Sequence, residues 1–247
     1  ANVASARLLA HGVSPAALAP IEVQRYDTGT NASRSALFIG SMLSMLFFPA
    51  FFCGMSAAVD STAGERERRS MEVLMAQPAR AWEIVAGKWL MAGALAIFGL
   101  TLELILMHLV LSWMPLEELG MSWALTWSDV AMVCIVALPL SLLAAALQIA
   151  LAMNAKSFKE AQSLLSIVLM LPLLPGAVVS MMDLKTATWM YAVPMLSNQT
   201  LLREISKGVE ISALPYVLTF FSAALPALAI VAFASWRMKS ERYVLAV

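Results

Sequence analysis

Long apolar runs separated by short polar stretches dominate the pattern along this 247-residue chain. A run of about 18 apolar residues or more is long enough for a helix to cross the hydrocarbon core of a bilayer. Prolines at Pro172, Pro175 and Pro226 fall inside the last two runs and predict kinks there. Five runs meet the length criterion, and they predict transmembrane helices over residues 36–59, 89–114, 130–153, 161–182 and 215–236.

The composition supports an all-α integral membrane protein. Hydrophobic residues make up 61% of the chain and charged residues only 13%, whereas soluble domains have about 45–50% and about 25%. This balance excludes a soluble enzyme, a disordered chain and a nucleic-acid-binding module, and it makes membrane lipid the expected surroundings. Cys53 and Cys134 lie within apolar runs, so we interpret them as packing residues rather than as disulfide or metal-site residues.

The basic residues orient the predicted helices. Ten of the 16 Lys and Arg residues fall in segment 60–88, in the loop after the third span and in the tail 237–247. Because cytoplasmic loops carry the excess of Lys and Arg, these regions and the C-terminus are predicted to be cytoplasmic. Residues 1–35 and the loop 183–214 are then extracytoplasmic. An exported N-terminal segment needs an earlier span, so we expect a longer subunit with six spans. Residues 1–35 are then the tail of an extracytoplasmic domain. A removed signal peptide is the alternative.

The segment 60–88 carries the densest charge in the chain. Glu65 can pair with Arg68 and Arg69 on a helix surface, and Pro78 should end that helix. Apolar residues recur at helical spacing after the charges, which predicts a short amphipathic helix along the cytoplasmic surface. Such a charge run is either a solvated loop that sets topology or a docking surface for another protein. The close mixture of Glu and Arg favours docking.

The same segment resembles the first cytoplasmic loop of the ABC-2 type transporter permeases. The resemblance rests on Gly64-Glu65-Arg66-Glu67, on 70–75, on Pro78 and on 83–88, which ends in Gly87-Lys88, with Ser70 standing where a threonine is common. It implies a bacterial inner (plasma) membrane protein, a second permease copy in a homodimer or heterodimer, and a cytoplasmic ABC ATPase subunit that binds ATP and Mg²⁺, with no cofactor on this chain. The residues implied in ATPase coupling are Gly64, Glu65, Arg66, Glu67, Arg68, Arg69, Glu72, Leu74, Pro78, Gly87 and Lys88.

The start of the chain adds a finer resemblance. Arg7-Leu-Leu-Ala-His-Gly-Val and Pro20-Ile-Glu-Val resemble the tail of the extracytoplasmic domain in the Nat-type (sodium-extruding) branch of that family. This resemblance implies export of sodium or another small cation, with a lipid, drug or peptide as alternative substrates. It also implies a re-entrant helix within 183–214, where the residues alone fit an interfacial loop helix equally well.

Ionisable residues occur well inside only one predicted span. Glu103 lies about 21 Å along the helix from its cytoplasmic end, a depth at which an acid needs a partner or a water-filled path. Glu103 and, beyond it, His108 are therefore candidates for the transport path, with helix packing as the alternative. Gln148 in the third span is predicted to form a hydrogen bond between helices.

Several chemistries lack their motifs. The sequence has no Gly-x-x-x-x-Gly-Lys-Ser/Thr, no His-Glu-x-x-His and no Cys-x-x-Cys. We therefore predict no catalytic residue and no metal site in this chain. An intramembrane enzyme and a non-catalytic membrane assembly protein remain the alternative functions, although Glu103 and His108 point about 140° apart on a straight helix.

Overall fold

A computed structural model describes residues 45–70, 73–74, 76–115, 125–175, 186–206 and 208–239. Its secondary structure over those residues is helical, which confirms the predicted all-α class. The elements are α1 (Pro49–Val59), a π-helical turn (Asp60–Gly64), α2 (Glu65–Glu67), α3 (Ala81–Trp113), α4 (Trp127–Ala152), α5 (Phe158–Val168), a 3₁₀ helix (Thr188–Ala192), α6 (Leu196–Ser206) and α7 (Ala213–Met238).

Four helical segments among the described residues are long and apolar enough to cross a membrane: Ala81–Trp113, Trp127–Ala152, Phe158–Pro175 and Ala213–Met238. They correspond to the last four predicted spans. The first predicted span is described only from residue 45 onward, as α1 and the turn before it, and its residues 36–44 lie outside the described part. The chain is thus a multi-pass membrane protein.

Helix α4 lies at the centre of the bundle. It packs against α1, α3 and α7, and 14 of its 26 residues are buried, compared with 8 of 33 in α3. A helix that is apolar all round suits such a central place. Its start is fixed locally, because the Asp129 carboxylate accepts a hydrogen bond of 2.8 Å from the Thr126 backbone N–H. The outer helices α3 and α7 leave large apolar side chains exposed, among them Phe98 and Leu225.

Glycines permit the close crossing of α1 and α3. A Cβ atom added at Gly54 would lie 2.7 Å from the Ala92 carbonyl oxygen. One added at Gly99 would overlap the Cys53 sulfur. Small residues allow transmembrane helices to approach in this way, since van der Waals packing rather than the hydrophobic effect holds them together.

Side-chain hydrogen bonds reinforce the packing of α4. Gln148 Nε2 donates to the Phe51 carbonyl of α1, which confirms the predicted bond between helices. Trp89 Nε1 in α3 donates to the Leu142 carbonyl at 2.8 Å. Both carbonyls belong to helices, so these bonds fix how α1 and α3 sit on α4.

Candidate functional site

The first helix does not stop at the end of its apolar run. After α1 it continues through the π-helical turn, whose residues Ser61 to Gly64 are buried, and then through α2. The helix breaks immediately afterwards, where Arg69 adopts a positive φ of 56°. The charged residues from Glu65 onward therefore begin as an extension of the first helix. Met71, Glu72 and Met75 lie outside the described residues, so the amphipathic helix predicted there stays a prediction.

Glu65 is paired across the chain with Lys88. The Lys88 ammonium contacts the Glu65 carboxylate and also donates to the Ser61 carbonyl of the π-helical turn. The predicted pairs of Glu65 with Arg68 and Arg69 are wrong. Arg68 still belongs to the helical turn but pairs with Asp60, and Arg69 lies past the end of the helix, where its φ is positive.

Arg66 binds the end of the central helix. Its Nη2 donates to the Met153 carbonyl at 2.8 Å and its Nη1 to the Ala155 carbonyl at 2.9 Å. These carbonyls lie just beyond α4, where backbone oxygens have no partner within the helix and where the helix dipole favours a positive charge. One guanidinium thus satisfies two acceptors.

Glu67 binds the start of the next helix. Its Oε2 accepts a hydrogen bond of 2.8 Å from the Phe158 backbone N–H, the first of α5. Backbone N–H groups at a helix start lack helical partners and favour a negative charge. We call this arrangement the Arg66–Glu67 clasp: the two side chains together with the backbone of 153–158, to which both are hydrogen-bonded. It places segment 60–70 and the loop after α4 at the same end of the bundle.

The other predicted coupling residues differ in their exposure. Arg68, Arg69 and Pro78 are exposed, whereas Gly64 is buried close to the Asp60 carboxylate. Leu74 is half-buried and packs against the core. Gly87 is exposed, and a Cβ added there would meet no atom of the described chain within 4 Å. The outward surface here therefore carries both charges: Arg68, Arg69 and Arg80 are exposed, and so are the acids Asp60, Glu67 and Glu83.

The structure does not bring Glu103 and His108 together. Glu103 is half-buried and follows Gly99 by one turn, on the side of α3 that faces α1. His108 is buried, and its ring lies edge-on to Trp127 at the start of α4 with ring centroids 4.3 Å apart. The two side chains thus belong to different helix contacts.

A second polar region surrounds α6. Ser197 Oγ lies 3.1 Å from Ser222 Oγ of α7, and Gln199 Nε2 donates to the Pro172 carbonyl at 2.7 Å. Residues 196–202 are all buried, so this helix packs into the bundle on every side. Burial and the nearby Glu204 carboxylate raise the pKa of Tyr191. The predicted helix within 183–214 therefore exists, whereas its position relative to a membrane stays a prediction.

Sequence reasoning missed the partners of the clasp. The Ser157 hydroxyl accepts from the Glu160 backbone N–H at 3.2 Å, and this Ser-x-x-Glu pattern could have placed the start of α5 at Phe158 rather than at 161. The Met153 and Ala155 carbonyls left no such signal, because every residue has a carbonyl.

The comparisons with known proteins agree on one family. The family described as ABC-2 family transporter protein matches residues 7–237. The ABC transporter permease protein NatB of Bacillus subtilis (strain 168) is 28% identical over 180 residues, which are 70% of this chain and 46% of NatB. The chain thus spans about half the length of this curated relative. No solved structure matches the chain significantly.

Proposed function

Since the chain belongs to the ABC-2 family of transporter proteins, we propose that it is the membrane-spanning permease subunit of an ABC exporter. A separate cytoplasmic ATPase binds ATP and Mg²⁺ and supplies the work, while this chain forms the path. Two ATP sites require two permease halves, so a second copy or a close homologue completes the complex. The exporter lies in the bacterial inner membrane with the C-terminus in the cytoplasm.

The ATPase docks at the clasp end of the bundle. The observation that carries this is the outward surface of segment 68–80, where Arg68, Arg69 and Arg80 are exposed. The excess of basic residues in these segments supports a cytoplasmic location for the same end. Exposed arginines suit a partner with an acidic surface, since complementary charge guides and orients such contacts.

The cargo is sodium or another small cation. The Nat-type resemblance at the start of the chain supports this choice, and so does Glu103, a half-buried carboxylate within a span. A charge in that position costs about 2.5–3.5 kcal/mol on insertion scales, which a role in the path would explain. Lipids, drugs and peptides are the competing substrates, and a transport assay separates them.

Docking is tested by charge reversal at two exposed arginines. We expect Arg69→Glu with Arg80→Glu to abolish co-purification with the ATPase and its stimulation, because the reversed charges repel an acidic surface. Lys239→Glu is the matched control: it is also exposed and basic but lies at the end of α7. Equal ATPase binding by the double variant and the control would refute the docking surface.

The cargo is tested in vesicles that contain the full complex. We expect sodium or another alkali cation to raise the ATPase rate and to be moved across the vesicle membrane. Glu103→Gln should change the cation dependence, whereas Glu210→Gln, an exposed acid outside the helices, should leave it unchanged. Stimulation by a lipid or drug, with no effect of any cation, would overturn the cation proposal.

A further inference from the structure

We propose that Arg66 and Glu67 are positioning residues that transmit movement within the permease and do not themselves bind the ATPase. The Arg66–Glu67 clasp joins segment 60–70 to α4 and α5, so both helices move when this segment is displaced. This inference rests on the proposed function, because an ATPase must supply the displacement. It departs from the assignment of the whole Gly64–Glu67 motif to the partner contact.

The first argument is that the charged groups of Arg66 and Glu67 already have hydrogen-bond partners within the permease. Two guanidinium nitrogens of Arg66 bind carbonyls at the end of α4, and one carboxylate oxygen of Glu67 binds the first N–H of α5. Hydrogen bonds to charged groups are about twice as strong as neutral ones. A partner that took one of these side chains would have to break its bonds and leave backbone groups at that helix end unsatisfied.

The second argument is the match of charge to position. The positive side chain lies at the C-terminal end of α4 and the negative one at the N-terminal end of α5, which is the favourable arrangement for both helix dipoles. Two adjacent residues of opposite charge thus fit the two ends that one short loop brings together. Contact with an external partner would not by itself require the positive side chain at the end of α4 and the negative one at the start of α5.

The third argument is the connection to α3. Lys88 holds both the Glu65 carboxylate and the Ser61 carbonyl of the buried π-helical turn. Segment 60–67 is therefore tied to α3, α4 and α5 at once. Packed elements with few arrangements move together rather than deforming continuously. The clasp makes α4, at the centre of the bundle, follow the segment.

Glu67 offers a direct test, because glutamine keeps the acceptor and loses the charge. An amide oxygen can still accept the Phe158 N–H, so Glu67→Gln should keep most of the wild-type ratio of cargo moved to ATP hydrolysed and lose only the part that the charge contributes. Glu67→Ala should bind the ATPase normally but lower that ratio by about fivefold or more, a typical size for coupling between sites. If both variants lose ATPase binding, Glu67 is a docking residue and the proposal fails.

Arg66 gives an independent test with a matched control. Arg66→Ala should lower the same ratio, and Arg66→Lys, which retains a donor and a charge, should recover part of it. The double variant Arg66→Ala with Glu67→Ala should be no worse than the stronger single variant, since the residues act as one unit. Lys159→Ala, an exposed charge in the first turn of α5, should leave the ratio unchanged. An additive loss, or an equal loss in the control, would overturn the proposal.

A measurement on the permease alone keeps the inference separate from the proposed function. Spin labels at Ser70 and Lys156, both exposed, report the distance between the two segments. We expect a narrow distribution in the wild type and in Glu67→Gln, and a broad one in Arg66→Ala and Glu67→Ala. Equal distributions in all four proteins would refute the clasp, whereas a narrow wild-type distribution with no ATPase binding would refute only the proposed function.

Discussion

The glycine crossing of α1 and α3 yields a sharp prediction, since the chain supplies its own control. Gly54→Ala and Gly87→Ala make the same chemical change, the first in α1 and the second in α3. A Cβ at Gly54 would come within 2.7 Å of the Ala92 carbonyl oxygen, whereas one at Gly87 meets open space. The backbone oxygen of a helix cannot rotate away, so α1 and α3 must move apart.

The size of the stability difference follows from a comparison of Gly54→Ala with Gly87→Ala. Alanine is favoured over glycine in a helix by about 1 kcal/mol, and this gain applies to both variants. Overpacking costs about 1–3 kcal/mol, and this cost applies only to Gly54→Ala. We therefore expect Gly54→Ala to be less stable than Gly87→Ala by about 1–3 kcal/mol, with Gly87→Ala at or above the wild type.

Reversible unfolding in mixed detergent micelles, followed by circular dichroism, measures this difference. Both variants should keep the wild-type helix content, so that the change lies in packing. Equal unfolding free energies for the two variants would show that α1 and α3 are not in close contact at Gly54, and the crossing described above would be wrong.

Three further predictions use the same unfolding assay. Gly99→Ala should destabilise the protein, and adding Cys53→Gly should recover part of the loss because it removes the atoms that the new Cβ meets; additive losses would contradict this. Gln148→Leu should cost about 0.6–1.7 kcal/mol, which lies between the average and the largest value for hydrogen bonds between membrane helices, and no change would mean that its bond to Phe51 adds nothing. Lys88→Met should cost about 1–3 kcal/mol by leaving the Glu65 carboxylate unpaired, and Lys88→Met with Glu65→Gln should cost less than Lys88→Met alone; an equal cost would argue against the pair.

The apolar runs predicted most of the helical architecture because lipid leaves the backbone few choices. A spanning segment must satisfy its own hydrogen bonds, so length and apolarity suffice to identify α3, α4 and α7. The start of α5 was predicted three residues late, since the apolar run begins after its polar first turn and only the Ser157 cap marks its true beginning. An apolar run shows which residues can lie in lipid, whereas the hydrogen bonds of the capping residues determine where a helix begins and ends.

The partners of the charged side chains could not be predicted in the same way. Glu65 has arginines three and four residues further along, and helical spacing alone favours those pairs. The actual partner, Lys88, lies 23 residues away and comes near only because α3 runs back beside α1. Pairing by spacing assumes that the helix continues and that no other partner is near. Here the helical turn ends at Arg68, which pairs with Asp60, while Glu65 pairs with Lys88. A charge cluster thus identifies a region without identifying its contacts.

This distinction changes how the charged segment should be probed. Reversal of Glu65 or Glu67 to lysine would place a positive charge against Lys88 or against the start of α5, so a loss of transport would report damage inside the permease. Without knowledge of these internal contacts, the same loss of transport would be interpreted as the loss of a contact with the ATPase. Arg69 and Arg80 are exposed, and a variant at these positions tests docking with the clasp intact. Within the charged segment, Glu65, Arg66 and Glu67 therefore bind other parts of the permease, whereas Arg69 and Arg80 are exposed and available to a partner.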